Sequence, residues 1–174
     1  TKMKEVFFVN YARLLNKDEM KKGSFSLSFL TGNTPNTRNF THLLTLADHN
    51  AQNEFKINSP AGEYGILYTS SATPNSNSGV GHIYYQAGIV VLTASYMSGE
   101  FGAGTFGSPT DVHASIEAAL TGAQISSSCD GIRNRWQDCD FNNTTELNST
   151  IYFCRAASNE FNYSSNPTYL SGSK

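Results

Sequence analysis

The first 128 residues contain no cysteine; Cys129, Cys139 and Cys154 all fall in the last third of the chain. This late placement argues against an immunoglobulin sandwich pinned by a disulfide. Tyr152-Phe153-Cys154-Arg155 would suit the second Cys-bearing strand of that fold, but its partner cysteine belongs most of a domain upstream, with a core tryptophan between the two. The one tryptophan, Trp136, lies instead between Cys129 and Cys139 in a polar stretch. Only a sandwich without that bridge survives. An odd number of cysteines leaves two readings open, a Cys129–Cys139 pair or unpaired thiols throughout. Zinc is poorly served, because its sites need four ligands at short spacings and His42, His49, His82 and His113 are scattered.

Charge is scarce as well. Charged residues make up 15% of the chain and the net charge is −2, so no basic face for nucleic acid is expected. No apolar run approaches the ~20 residues that span a bilayer, and no basic-then-apolar leader opens the sequence. Neither a membrane span nor a membrane partner is expected.

What the chain does have is Asn, Ser, Thr and Gly in abundance, with aromatics at 12%. That balance suits β-rich assembly or extracellular proteins. Ser24–Leu30 (SFSLSFL) alternates Phe25, Leu27 and Phe29 against serines, the pattern of a strand with one buried face. Residues 4–20 place Val6, Phe7, Tyr11, Leu14 and Leu15 at helical spacing, although Glu5–Val9 also fits a strand. Residues 31–39 read as a loop, and 40–50 and 54–58 as paired strands turning through Asp48–Asn53. GILYTSS (65–71) follows as a strand, then a polar linker over 72–81. Ile83–Tyr85 and Ile89–Thr93 form a hairpin in which Gly88 takes positive φ. Residues 96–110 are Gly-rich and without clear period.

Ser108-Pro109-Thr110-Asp111 then supplies a helix start, with Val112, Ile116, Ala119, Leu120 and Ala123 at helical spacing, giving one helix of about a dozen residues. The polar stretch 126–143 leaves the sheet, which is rejoined at 147–156. In STIYFCRA, Ile151 and Phe153 alternate with Tyr152 and Cys154 as a core strand. The expected fold is mainly β, an antiparallel sheet or sandwich with a short helical insertion near residues 109–140. The chain reads as one β-rich domain over 1–174, a segment of a larger polypeptide, with the helical and loop excursion spanning 108–143.

Motifs for chemistry are weak. Gly-x-Ser-x-Gly is absent and no histidine is placed beside a nucleophile, which removes the basis for a hydrolase. Gly102-Ala103-Gly104-Thr105-Phe106-Gly107 spells a dinucleotide-loop pattern, but that motif must join a parallel strand to a helix, and here the helix begins only after Pro109. Glu63, Glu100, Glu117, Asp138 and Asp140 fall in expected loops or on a solvent-facing helix side, unsuited to paired-carboxylate chemistry. His82 reads as a satisfied edge residue. Sequons at Asn39, Asn142, Asn143, Asn148 and Asn162 are what an Asn/Ser/Thr-rich chain produces by chance. No catalytic, cofactor-binding or metal-binding residue is assigned, no cofactor is implied, and the chain is not read as an enzyme.

Three longer strings carry a resemblance: YARLLNKDEMKKGSFSLSF, GHIYYQAGIVVLTAS and NNTTELNSTIYFCRAASNEFNYSSNPTYLSGSK. Together they resemble virion structural proteins of contractile-tailed bacteriophages, particularly of the marine or cyanophage type. Glu160–Thr168 (EFNYSSNPT) is the most specific part. The resemblance implies a non-enzymatic component of the particle, assembled in the host bacterial cytoplasm and located in the virion; it leaves baseplate, neck, tail and head attachment open, and baseplate, neck or tail is the expectation. It implies other virion structural proteins as partners, homo-oligomerisation, and neither nucleic acid nor membrane contact. Low-charge Tyr/Asn surfaces of the kind at 159–169 serve subunit contacts, and symmetric repetition lets weak contacts add up. A second class is a receptor- or carbohydrate-binding fibre or adhesin domain, in which exposed tyrosines such as Tyr163 and Tyr169 would stack on sugars.

Overall fold

The computed structural model describes residues 2–31, 42–69, 79–101, 115–121, 125–145 and 147–155. The elements in chain order are β1 (Val6–Asn10), α1 (Arg13–Asn16), β2 (Glu19–Met20), β3 (Ser26–Thr31), β4 (His42–Ala47), α2 (Ala51–Glu54), β5 (Tyr64–Thr69), β6 (Gly81–Tyr84), β7 (Ile89–Thr93), α3 (Ala94–Phe101), α4 (Ile116–Ala119), α5 (Ile125–Arg135), β8 (Trp136–Asp140) and β9 (Asn143–Thr144). Seven strands make one curled antiparallel sheet in the order β1-β7-β6-β5-β4-β3-β8; β2 and β9 pair separately. The expected mainly β, antiparallel class with short helical additions is what the chain adopts.

Period-two patterning builds the sheet and its curl closes the core. β5 joins the two arms: Tyr64–Leu67 pair with β6, whereas Tyr68 and Thr69 pair with Ala47 and Leu46 of β4. Leu27, Phe29, Leu44 and Leu46 from one arm and Phe7, Leu67, Ile83, Val90 and Leu92 from the other meet in one buried cluster. Each such side chain contributes roughly 1.5–3 kcal/mol when fully buried. The serines of β3 lie on the opposite face, where Ser28 Oγ and Thr45 Oγ1 are 3.1 Å apart across the strands.

The β6–β7 hairpin forms as its sequence requires. Gly88 has φ +67° and its N–H donates to the Tyr84 carbonyl at 2.9 Å. A Cβ there would also come within 3.1 Å of the Asn16 side chain, so the turn fits only glycine comfortably.

Several expectations are corrected. Of the two readings of residues 4–20 the strand is the one that forms, as β1 at the sheet edge; the helix is limited to the single turn Arg13–Asn16, and Glu19–Met20 make β2. Residues 54–58 do not pair with β4; they supply one isolated bridge, Lys56 with Tyr64, and β4 pairs with β3 and β5. Asp48–Asn53 holds the turn that opens α2. Residues 96–101, expected within the Gly-rich stretch 96–110 without clear period, belong to the helix α3, with Ala94, Met97 and Phe101 supplying buried positions at spacings of three and four.

Within 108–143 the described helical residues form two segments. Ser115 caps the short α4, its Oγ accepting from the Ala118 N–H at 3.1 Å. α5 buries Ser128, Gly131, Ile132 and Arg135 on one face. Residues 102–114 and 122–124 lie outside the described residues, and with them the expected helix start at Pro109. The polar excursion itself contains a strand: β8 pairs with β3, so the sheet is rejoined at Trp136 rather than at 147. Residues 147–155 form no strand at all. Ile151 and Phe153, expected in the core, are 73% and 94% exposed.

Candidate functional site

Asp48 follows β4 and is 1% exposed. Its carboxylate accepts from the Phe25 N–H at 2.9 Å, the Gly23 N–H at 2.7 Å and the Tyr85 hydroxyl at 3.0 Å. Burial pushes its pKa above the ordinary 3.8, outweighing these bonds, which pull it down. Burial and the facing Asp48 carboxylate push the Tyr85 hydroxyl far up. Lys22 Nζ lies 5.6 Å from the Tyr85 ring centre and 2.5 Å from Glu63 Oε2. The group ties the loop before β3 to the ends of β4 and β6. Every oxygen of Asp48 is engaged by the fold, so the arrangement is a structural knot rather than a poised acid.

Other titratable residues are dispersed. Glu63 sits in the Lys22 pair, and Glu117 is exposed on α4. Glu100, expected in a loop, is exposed on α3; Asp138 and Asp140, also expected in loops, are exposed on β8. Among the described residues no group of three or more His, Cys, Asp or Glu converges. Gly102–Gly107 and His113 lie outside the described residues. The cysteines are free: Cys129 and Cys154 exposed, Cys139 half-buried with its Sγ 3.0 Å from the Tyr11 hydroxyl. Burial raises the Cys139 thiol pKa, which disfavours its reactive thiolate.

Apolar surface is what remains conspicuous. On the outer face of the β1–β7–β6–β5 arm, Phe8 is 69% exposed. Together with His82, Tyr84, Ile89 and Val91 it borders a shallow hollow of about 570 Å³. Tyr64 lies 5.4 Å from Tyr84 and 5.2 Å from His82, ring centre to ring centre. Burial lowers the pKa of His82, which favours the neutral ring. A second hollow, a groove of about 450 Å³, runs between β1 and the α4–α5 region, bordered by Glu5, Val6, Phe7, Phe8, Leu120 and Ile125.

The third apolar feature is the segment 147–155. Asn143 Nδ2 donates to the Leu15 carbonyl at 2.7 Å and β9 pairs with β2, which anchors the chain just upstream. Beyond that anchor Leu147, Ile151, Tyr152 and Phe153 are all more than 70% exposed. Sequence reasoning found the alternation of this arm but assigned it to the core. It missed the free edge of β1 because edge and interior strands have the same period. Tyr163 and Tyr169 lie outside the described residues. The chain matches no protein-family model, no curated protein and no solved structure.

Proposed function

We propose that this chain is a non-enzymatic structural component of a tailed bacteriophage particle, in baseplate, neck or tail, working through assembly contacts with copies of itself and with other virion proteins. The observation that carries the contact role is the arm: four large apolar side chains within residues 147–153 stand in solvent. Isolated exposed hydrophobics are ordinary, but a continuous set signals a surface that is covered in use. Strands rich in uncharged polar residues, with aromatic faces, provide the durable low-charge contacts such a role needs. The phage setting rests on the sequence resemblance.

Quantitative mass spectrometry of purified particles from the genome encoding the chain tests the proposal. A fixed stoichiometry relative to the other tail proteins is expected. Abundance in the infected-cell lysate with absence from particles would overturn it.

The second reading, a receptor- or carbohydrate-binding module, draws support from the Tyr64–His82–Tyr84 cluster, whose partly exposed rings could stack on sugar faces. Binding on a glycan array that is lost in Tyr84→Ala would favour it over the assembly role.

A further inference from the structure

The two edges of the seven-stranded sheet are built differently. β8 carries Asp138 and Asp140, both exposed, and its pairing with β3 shifts register between Ser28 and Phe29. Charge and irregular pairing are the usual means of blunting an edge against other strands. β1, Val-Phe-Phe-Val-Asn, has no charge and no proline, and its register with β7 is unbroken from Val6 opposite Thr93 to Asn10 opposite Ile89.

The direction of its backbone groups follows from that register. The Ala94 N–H donates to the Glu5 carbonyl at 3.1 Å, and the Tyr11 N–H donates to the Gly88 carbonyl at 2.9 Å. In an antiparallel pair bonding alternates along the strand. Glu5, Phe7, Val9 and Tyr11 therefore face β7, and Val6, Phe8 and Asn10 turn their N–H and C=O outward. No strand among the described residues takes them. The groove beside this edge has an apolar wall, Leu120 and Ile125, and at its border one cation, Lys4, against two carboxylates, Glu5 and Glu117, which form no ion pair among the described residues and leave the groove net acidic.

We propose that the edge of β1 receives the arm Thr150–Arg155 of a second copy of this chain, added antiparallel as an eighth strand. The proposal rests on the assembly reading above for its biological setting, and on the arm and the edge for its geometry. With Arg155 set opposite Glu5, Cys154 falls opposite Val6, Phe153 opposite Phe7, Tyr152 opposite Phe8, Ile151 opposite Val9 and Thr150 opposite Asn10.

Every position then suits its neighbour. Phe153 and Ile151 extend the inner face already formed by Phe7 and Val9, with Phe153 directed at the groove, while Tyr152 lies beside Phe8 on the outer face. The outward groups of Val6, Phe8 and Asn10 each exchange a pair of hydrogen bonds with the arm. The Arg155 guanidinium meets the carboxylates of Glu5 and Glu117, which complements the groove in charge. A slip of one residue would turn Phe153 and Ile151 to the wrong face and strand Arg155, so apolar pattern and charge select the same register. The arm belongs to another copy because, among the described residues, this chain's own residues 147–155 pair with no strand and β1 pairs only with β7, while Phe153 is 94% exposed. Reciprocal exchange would give a closed dimer; one-way exchange would give a ring or filament.

The register makes a covalent test possible, since residues in a bonded antiparallel pair have Cα atoms about 5.5 Å apart, within disulfide range. The full chain carrying Val6→Cys and Cys129→Ser is oxidised mildly with copper–phenanthroline and read by non-reducing gel and peptide mass spectrometry. A bridge between position 6 of one copy and Cys154 of another is expected. Adding Glu5→Arg or Arg155→Glu alone should lower its yield at least about tenfold, and the two together should restore it.

Analytical ultracentrifugation of Phe153→Asp supplies a readout independent of sulfur chemistry. That side chain is exposed, so the variant should fold as the parent does and lose self-association. No bridge, a bridge closed within one chain, a bridge indifferent to the charge exchange, or self-association unchanged in Phe153→Asp would each overturn the proposal. A chain that is stoichiometric in particles yet forms no bridge fails this inference alone; a chain that bridges yet is absent from particles fails only the functional reading.

Discussion

Asp48→Ala is expected to destabilise the folded state by about 3–5 kcal/mol, enough to leave a chain of this size largely unfolded at moderate temperature. The carboxylate accepts from the Gly23 N–H, the Phe25 N–H and the Tyr85 hydroxyl, and Tyr85 and Phe25 are 0% and 1% exposed. Removing the acceptor leaves donors in places water does not readily reach, at a cost of about 1–3 kcal/mol for each one left unsatisfied. Urea denaturation of parent and variant measures the difference. The same comparison has a pH signature. Burial raises the carboxyl above 3.8 in the folded state, so the folded chain holds this proton more tightly than the unfolded chain does. The protonated group's contribution is complete below the unfolded value and is lost as pH rises through the folded one. The stability gap between parent and Asp48→Ala should therefore narrow as pH increases through that window. A gap that widens would show that the hydrogen bonds outweigh desolvation.

Gly65→Ala should cost about 3 kcal/mol or more although it adds a single methyl group. A Cβ at Gly65 would fall on the Tyr85 hydroxyl oxygen and lie 2.9 Å from Cζ of the same ring. Tyr85 cannot yield, being buried and bonded to Asp48. Gly65 lies on β5 opposite Ile83, so this glycine provides room for a neighbour rather than an unusual backbone conformation. Gly65→Ala and Asp48→Ala both act on the Tyr85–Asp48 bond, and the double variant should lose measurably less than the sum of the two. Additive losses would mean that Gly65 and Asp48 support the fold independently.

How much of this was legible depended on whether a signal was local. The alternation of Ser24–Leu30 and the Gly88 hairpin were readable because period and turn chemistry are written in neighbouring residues. α3 was hidden because Gly and Ser weaken helical propensity, and its formation depends on packing Met97 and Phe101 into the core. β8 was hidden by the feature that suits it to an edge, its aspartates. Asp48 looked like an ordinary turn residue, since nothing near it in sequence announces a tyrosine hydroxyl from β6's end. The arm is the reverse case. Ile151 and Phe153 carry a clear strand pattern, but a pattern gives the face a strand would present and not the partner that would cover it.

The most direct measurement is hydrogen–deuterium exchange of the free chain against the same chain in assembled particles. The contact account predicts that amides of Val6, Phe8 and Asn10 and of residues 148–155 exchange rapidly in the free protein. In the particle they should slow by on the order of a hundredfold or more, as backbone groups do when they enter a stable sheet. Equally rapid exchange of both segments in the two states would contradict it.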